Sequence, residues 1–133
     1  MTGIDTNILI RYITKDDPQQ ADKAAKFLKS LSPTNKGFIS LAVIVECIWV
    51  LDSIYEQDRD TIAEAILKLT KSPRLTIQCG DEIETVFTEA LSPDAFKGDL
   101  SDAIIAQVGY SHGCEQTVTF DKKASKLKHM TLL

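Results

Sequence analysis

The chain has 133 residues, nearly half of them hydrophobic, enough for one domain over residues 1–133 that buries most of its unfolded surface. Its 19 acids outnumber its 15 lysines and arginines, and the net charge of −4 excludes binding a polyanion through bulk charge. A nucleic-acid role would then require a local basic patch or metal ions. No apolar run approaches the roughly 20 residues of a membrane span, and no basic, hydrophobic leader opens the chain. Cys47, Cys79 and Cys114 are odd in number and lack metal-site spacing, as expected of reduced thiols in a cytoplasmic protein.

In chain order, Gly3-Ile4-Asp5 reads as a short strand running straight into a helix. Thr6 or Asn7 is expected to cap that helix, because side-chain oxygens of these types accept from the free N–H groups of a first turn. Asp5 then stands where a strand's carboxyl end meets a helix, the place at which open α/β sheets bind ligands. It reads equally as part of the cap. Asp17 and Pro18 start a second helix that runs to about Leu31, with Ala21, Ala24, Ala25 and Leu28 at helical spacing. Phe38-Ile39 is a second strand, and Ser40 caps a helix whose residues 41–51 hold a single charge, Glu46.

A helix that is apolar all round is a buried helix, so Glu46 is expected to point inward and line a cleft. An ionised carboxylate tolerates burial only when paired or facing a cation. A partner Arg or Lys, a raised pKa, or a place on the helix's one wet edge are the alternatives.

Residues 58–71 form a further helix, residues 75–77 a third strand, and residues 81–91 an amphipathic helix. A loop through Lys97 and Gly98 leads to Asp99-Leu100-Ser101-Asp102-Ala103-Ile104-Ile105-Ala106. Asp99 and Asp102 share a helix face. Capping by Asp99 or Ser101 accounts for one acid, whereas two carboxylates on one face repel unless a cation lies between them. Residues 117–120 are a fourth strand, with Asp121 at its carboxyl end and Lys122 and Lys123 opening a helix. Lys126 and Lys128 extend these lysines into a basic patch or an ordinary solvated face. Residues 130–132 are a last strand, and His112 and His129 read as surface residues.

Alternating strands and helices predict an α/β fold, a three-layer sandwich around a mostly parallel short-stranded sheet. The strand ending at Asp5 is expected at its centre. Asp5, Glu46, Asp102 and Asp121 are expected to converge on one end of the sheet. Oxygen-only ligands point to Mg²⁺ or Mn²⁺ and away from zinc. No Ser-His-Asp or Cys-His set and no Gly-rich phosphate loop is present.

Gly3-Ile4-Asp5-Thr6-Asn7, the lone Glu46, the stretch from Asp99 to Ala106 and Thr119-Phe120-Asp121 together resemble the PIN domain family, most closely the VapC-type toxins of type II toxin–antitoxin systems. The resemblance covers essentially the whole chain. It implies a Mg²⁺- or Mn²⁺-dependent endoribonuclease acting on single-stranded RNA and leaving a 5′-phosphate and a 3′-hydroxyl. Asp5 and Asp102 would be metal ligands, with Glu46 and Asp121 completing the site and Asp99 assisting. Thr6, Asn7 or Thr119 would orient waters or ligands, and Arg11, Lys97, Lys122 and Lys123 would contact flanking phosphates. A homodimer and a VapB-like antitoxin are the implied partners, with DNA contacted only through the antitoxin. Two other readings are an aspartyl-phosphate phosphoryl-transfer domain, which would need a second Asp where Asn7 stands, and an interaction module without catalysis.

Overall fold

The middle strand of the larger sheet opens on a tightly enclosed glycine. A computed structural model describes residues 1–133 and places Gly37 at the start of the middle strand of a three-stranded sheet. A Cβ added there would come within 2.5 Å of Ile4 Cδ1 and 2.9 Å of Leu31 Cδ1, so two core side chains close over a backbone that has no room for a larger residue.

The chain divides into two compact units, Met1–Gly80 and Asp81–Leu133. In the first, β1 (Thr2–Gly3), α1 (Thr6–Thr14), α2 (Pro18–Ser30), β2 (Gly37–Ile39), α3 (Leu41–Ser53), α4 (Arg59–Thr70) and β3 (Leu75–Ile77) follow one another. The sheet is parallel throughout, in the order β1-β2-β3. The strand before Asp5 is therefore an edge, and β2 holds the centre expected for it. With only two residues and both faces exposed, β1 lacks the apolar run of a central strand.

Local chemistry explains where the helices begin. Asp17 accepts from the Gln20 amide at 3.1 Å and Pro18 follows at the first helical position, starting α2. Ser40 caps α3 through Val43 N–H at 3.3 Å, and Asp58 caps α4 through Thr61 N–H at 2.8 Å. Leu9, Ile39, Ile44, Leu51, Ile62 and Ile66 are fully buried and form the core these helices share with the sheet.

The second unit holds all but the first residue of α5 (Gly80–Ala90), then α6 (Leu100–Ser111), β4 (Thr117–Thr119), a single 3-10 turn at Ala124–Lys126 and β5 (Met130–Leu132). β4 and β5 pair in parallel as a two-stranded sheet, Thr117 opposite Met130 and Thr119 opposite Leu132. The helix expected after Asp121 is only that turn, because the few residues between the strands must also cross back to the start of β5. Ile83, Val86 and Phe87 of α5 are buried, as their helical spacing predicts, alongside Leu100, Ile104 and Ala106 of α6. Six helices and all-parallel strand pairing make the chain an α/β protein. No helix is long and apolar enough to cross a membrane.

Candidate active site

The first unit supplies Asp5 and Glu46. Ile4 N–H still pairs with the Phe38 carbonyl at 2.8 Å, so Asp5 is the first residue past the sheet. With φ −84° and ψ 161° it is itself the N-cap of α1, its Oδ1 accepting from Thr6 N–H at 2.8 Å. That corrects the expectation that Thr6 or Asn7 caps the helix. Thr6 is already helical, and its hydroxyl faces inward: the residue is 5% exposed and Oγ1 has no hydrogen-bond partner. Asn7 lies exposed on the first turn.

Glu46 is exposed, which corrects its expected inward direction. α3 buries Ile44, Cys47, Ile48 and Leu51 and turns Ala42, Glu46 and Trp49 outward. The helix does have a wet edge, on which apolar Ala42 and Trp49 alternate with Glu46 and Asp52. Glu46 and Asp5 nevertheless act on a common neighbour. Burial pushes the Cys47 thiol up to about 12, and the charges of Glu46 and then Asp5 add to the effect. Both charges therefore reach the Cys47 thiol.

Arg11 is held within the fold. Its Nη1 donates to both carboxylate oxygens of Asp16 at 2.9 Å and to the Tyr55 hydroxyl at 3.1 Å, while Nε donates to Gln20 Oε1 at 2.7 Å. A phosphate would have to compete with Asp16 for this guanidinium.

The second unit supplies Asp99, Asp102 and Asp121. Asp99 is the N-cap of α6, accepting from Asp102 N–H at 2.9 Å. Asp121 Oδ1 accepts from Lys123 N–H at 2.8 Å and Ala124 N–H at 3.2 Å, and Asp121 N–H donates to Thr119 Oγ1 at 3.0 Å. Thr119 thereby fixes the turn that presents Asp121. Asp102, half-buried on the first turn of α6, has its carboxyl raised above the usual range, first by burial and then by the charges of Asp99 and Asp121. Asp99 and Asp121 thus lie near enough to act on the Asp102 charge, without the three closing into a metal cage. Lys97, Lys122 and Lys123 are exposed in the same unit.

The donor chemistry fits a hard divalent cation. Asp5, Asp99 and Asp121 each engage Oδ1 with their own backbone and keep Oδ2 out of that contact. The Asp102 cluster carries like charges that a cation would neutralise. Within neither unit do three His, Cys, Asp or Glu side chains already form a metal cage. Mg²⁺ tolerates this, since it binds through one or two carboxylates and keeps several waters or takes substrate phosphate oxygens.

Three features escaped the sequence reading. The Arg11–Asp16–Tyr55 network joins residues up to 44 positions apart. A groove of about 480 Å³ is lined by apolar Ile13, Leu28, Leu31 and Leu75 and by the cationic residues Lys15, Lys29, Lys68 and Arg74. Those cations come from separate elements and leave no linear signal. His129 is half-buried, with its ring stacked on Tyr110 at 3.9 Å between centroids, where the sequence suggested a surface residue.

A family model described as PIN domain matches residues 4–130 of the chain. Among curated proteins, no match is found.

Proposed function

The chain belongs to the PIN domain family, whose members are typically nucleases that use divalent metals, and from that membership we propose that it is a Mg²⁺- or Mn²⁺-dependent endoribonuclease hydrolysing phosphodiester bonds of single-stranded RNA. The observation that carries this reading is the second unit's acid cluster, in which Asp102 is raised by burial and by two further carboxylates. Such a cluster costs stability unless it serves a cation.

Asp5, Glu46, Asp102 and Asp121 are the residues proposed to hold the metal, with Asp99 assisting. When bound, the cation supplies Lewis acidity toward the phosphodiester and neutralises the charge that otherwise repels RNA. The protein's own groups do the positioning. Asp99 and Asp121 fix the backbone around Asp102 and β4. The unpartnered Thr6 hydroxyl is available to a water or ligand beside Asp5, with Asn7 exposed on the same turn. Lys97, Lys122 and Lys123 are exposed and available to flanking phosphates.

The whole chain is proposed to work as one nuclease domain, a cytoplasmic VapC-type toxin that forms a homodimer and is silenced by a VapB-like antitoxin. DNA is reached only through that antitoxin. Three cysteines outside any disulfide suit a reducing compartment. The apolar, cation-rimmed groove of the first unit supports the partner reading, since it suits a segment with an apolar face and acidic flanks.

The test is cleavage of total RNA with and without Mg²⁺, by the wild type and by Asp5→Asn, with new 5′ ends mapped by sequencing. Metal-dependent cuts that vanish in the variant support the assignment. Wild-type cleavage by Asp5→Asn sinks the site, and no cleavage with either Mg²⁺ or Mn²⁺ sinks the activity.

A further inference from the structure

We propose that the cation-rimmed groove of the first unit binds a free aliphatic phosphate, a compact ligand with a hydrocarbon chain and a phosphate head, an assignment independent of the endoribonuclease reading. The groove holds about 480 Å³, within the range of small-molecule pockets. Buried Leu31 and Leu69 line it, with Leu28 and Leu75 beside them. Lys15, Lys29, Lys68 and Arg74 line the same space and no acid does, in a chain whose net charge is −4. None of the four pairs with a carboxylate. Lys15 reaches this place from a left-handed backbone, φ 55°, at the C-cap of α1, where glycine is the usual residue.

Helix ends account for part of this charge. Lys15, Lys29 and Lys68 stand at the C-termini of α1, α2 and α4, and three such ends together offset only about one and a half of the four charges. The surplus suits a phosphate head, which carries about −1.5 to −2 at pH 7 and pairs strongly with guanidinium and ammonium groups. Arg74 is already steadied, its Nη1 donating to the Lys29 carbonyl at 3.3 Å. The only uncharged polar side chains of the lining are the hydroxyls of Tyr12 and Ser72, so the hydrogen-bonding edge of a nucleobase would go unpaired there. An alkyl chain makes no such demand. The groove is also short. It draws on α2 between residues 25 and 29 and on α4 between residues 65 and 69, about 6 Å of each helix. An amphipathic partner helix sets its anchors from i to i+7, about 10 Å apart, so an acidic partner segment enters the groove by a side chain or two, whereas a compact ligand fills it. Lys15 lies at the opposite end of α1 from Asp5, about 15 Å along the axis, which separates this site from the candidate metal ligands of the first unit.

The intact protein is titrated calorimetrically with decyl phosphate below its micelle concentration, with decanol as the tail-only probe and inorganic phosphate as the head-only probe. Saturable binding at one site per chain is expected, at least about tenfold tighter for decyl phosphate than for either probe. Lys68→Gln combined with Arg74→Gln should weaken that binding by about tenfold or more. Lys26→Gln, which removes a charge of α2 outside the groove, should leave it unchanged, and so should Asp5→Asn. Lys26, Lys68 and Arg74 are exposed, so circular dichroism of these variants should match the wild type. Decyl phosphate that fails to bind, or that binds no better than inorganic phosphate or decanol, overturns the proposal. Undiminished binding by the Lys68 and Arg74 double variant, or equal weakening by Lys26→Gln, overturns its location. Binding to phosphatidylglycerol vesicles with none to monomeric decyl phosphate gives the groove to a membrane surface and overturns it too. Each of these results leaves the endoribonuclease reading standing.

Discussion

Asp99 starts the helix that carries Asp102 and at the same time opposes its charge. Its Oδ1 accepts the Asp102 amide at 2.9 Å, and its negative charge, after burial, is the next cause lifting the Asp102 carboxyl. The two effects separate by substitution. Asp99→Asn keeps a good cap and removes the charge, so the Asp102 midpoint in a carboxyl-carbon NMR titration should move down. Asp99→Ala should do the same and also lose about 1 kcal/mol of stability with the cap. An Asp102 midpoint unmoved by either change would contradict the cluster.

The raised Asp102 makes metal-free stability depend on pH in a definite direction. As pH rises through the ordinary value of 3.8, this carboxyl ionises in the unfolded chain first. The Asp102 contribution to stability is therefore greatest below that value and falls as pH climbs through the folded pKa. Asp102→Asn cannot ionise, so it should melt above the metal-free wild type at pH 7 and lose that advantage below pH 3.8. Mg²⁺ should raise the wild-type melting temperature and leave the variant unmoved. RNA cleavage by the variant should fall by more than about a hundredfold, beyond the loss typical of residues that only support a metal ligand.

Asp16 runs the other way. The Tyr55 hydroxyl, donating at 2.6 Å, is the leading cause holding its carboxyl down at about 2, followed among the lowering contacts by Thr14 and Arg11. A depressed carboxyl gives stability that is present above 3.8 and lost as pH falls through about 2. Tyr55→Phe should raise the Asp16 midpoint and shrink the acid-induced loss of melting temperature over that window, with cleavage unchanged at neutral pH.

The cysteines should sort by environment. Burial first, then Glu46 and Asp5, pushes the Cys47 thiol up to about 12, so it stays protonated and shielded. Cys114 is exposed. Iodoacetamide at pH 8 followed by peptide mass spectrometry should label Cys114 in the native protein and Cys47 only after denaturation. Native labelling of Cys47 would mean that the α3 core opens.

Helices and strands were largely legible because their signals are local. Asp17-Pro18 and Asp58 mark the starts of α2 and α4, and Leu75-Thr76-Ile77 and Met130-Thr131-Leu132 are strands as read. What failed was tertiary. Residues 41–51 look apolar all round because Ala42 and Trp49, which face water, are apolar by type like Ile44 and Leu51, which do not. Periodicity cannot reveal a wet edge built from apolar residues. Thr6, Asn7 and Asp5 are all good caps by type, and only backbone geometry shows that Asp5 takes the role. The central place given to β1 rested on Asp5's expected function, while the burial of Gly37 and Ile39 marks β2 as the interior strand. The cap role of Asp99 was legible because an acid directly before an apolar helical run is a local signal.

The caps carry a consequence for ion selectivity. Asp5, Asp99 and Asp121 have their side-chain torsions set by hydrogen bonds to nearby amides as the chain folds. Carboxylates anchored in this way give up little rotamer freedom to an incoming ion, and they cannot readily splay to enlarge a coordination sphere. Ca²⁺ wants six to eight oxygens at roughly 2.3–2.6 Å and a yielding cage, whereas Mg²⁺ wants a near-octahedral shell at about 2.0–2.1 Å. In a chain that binds metal as proposed, discrimination between the two begins in the turns that immobilise the acids.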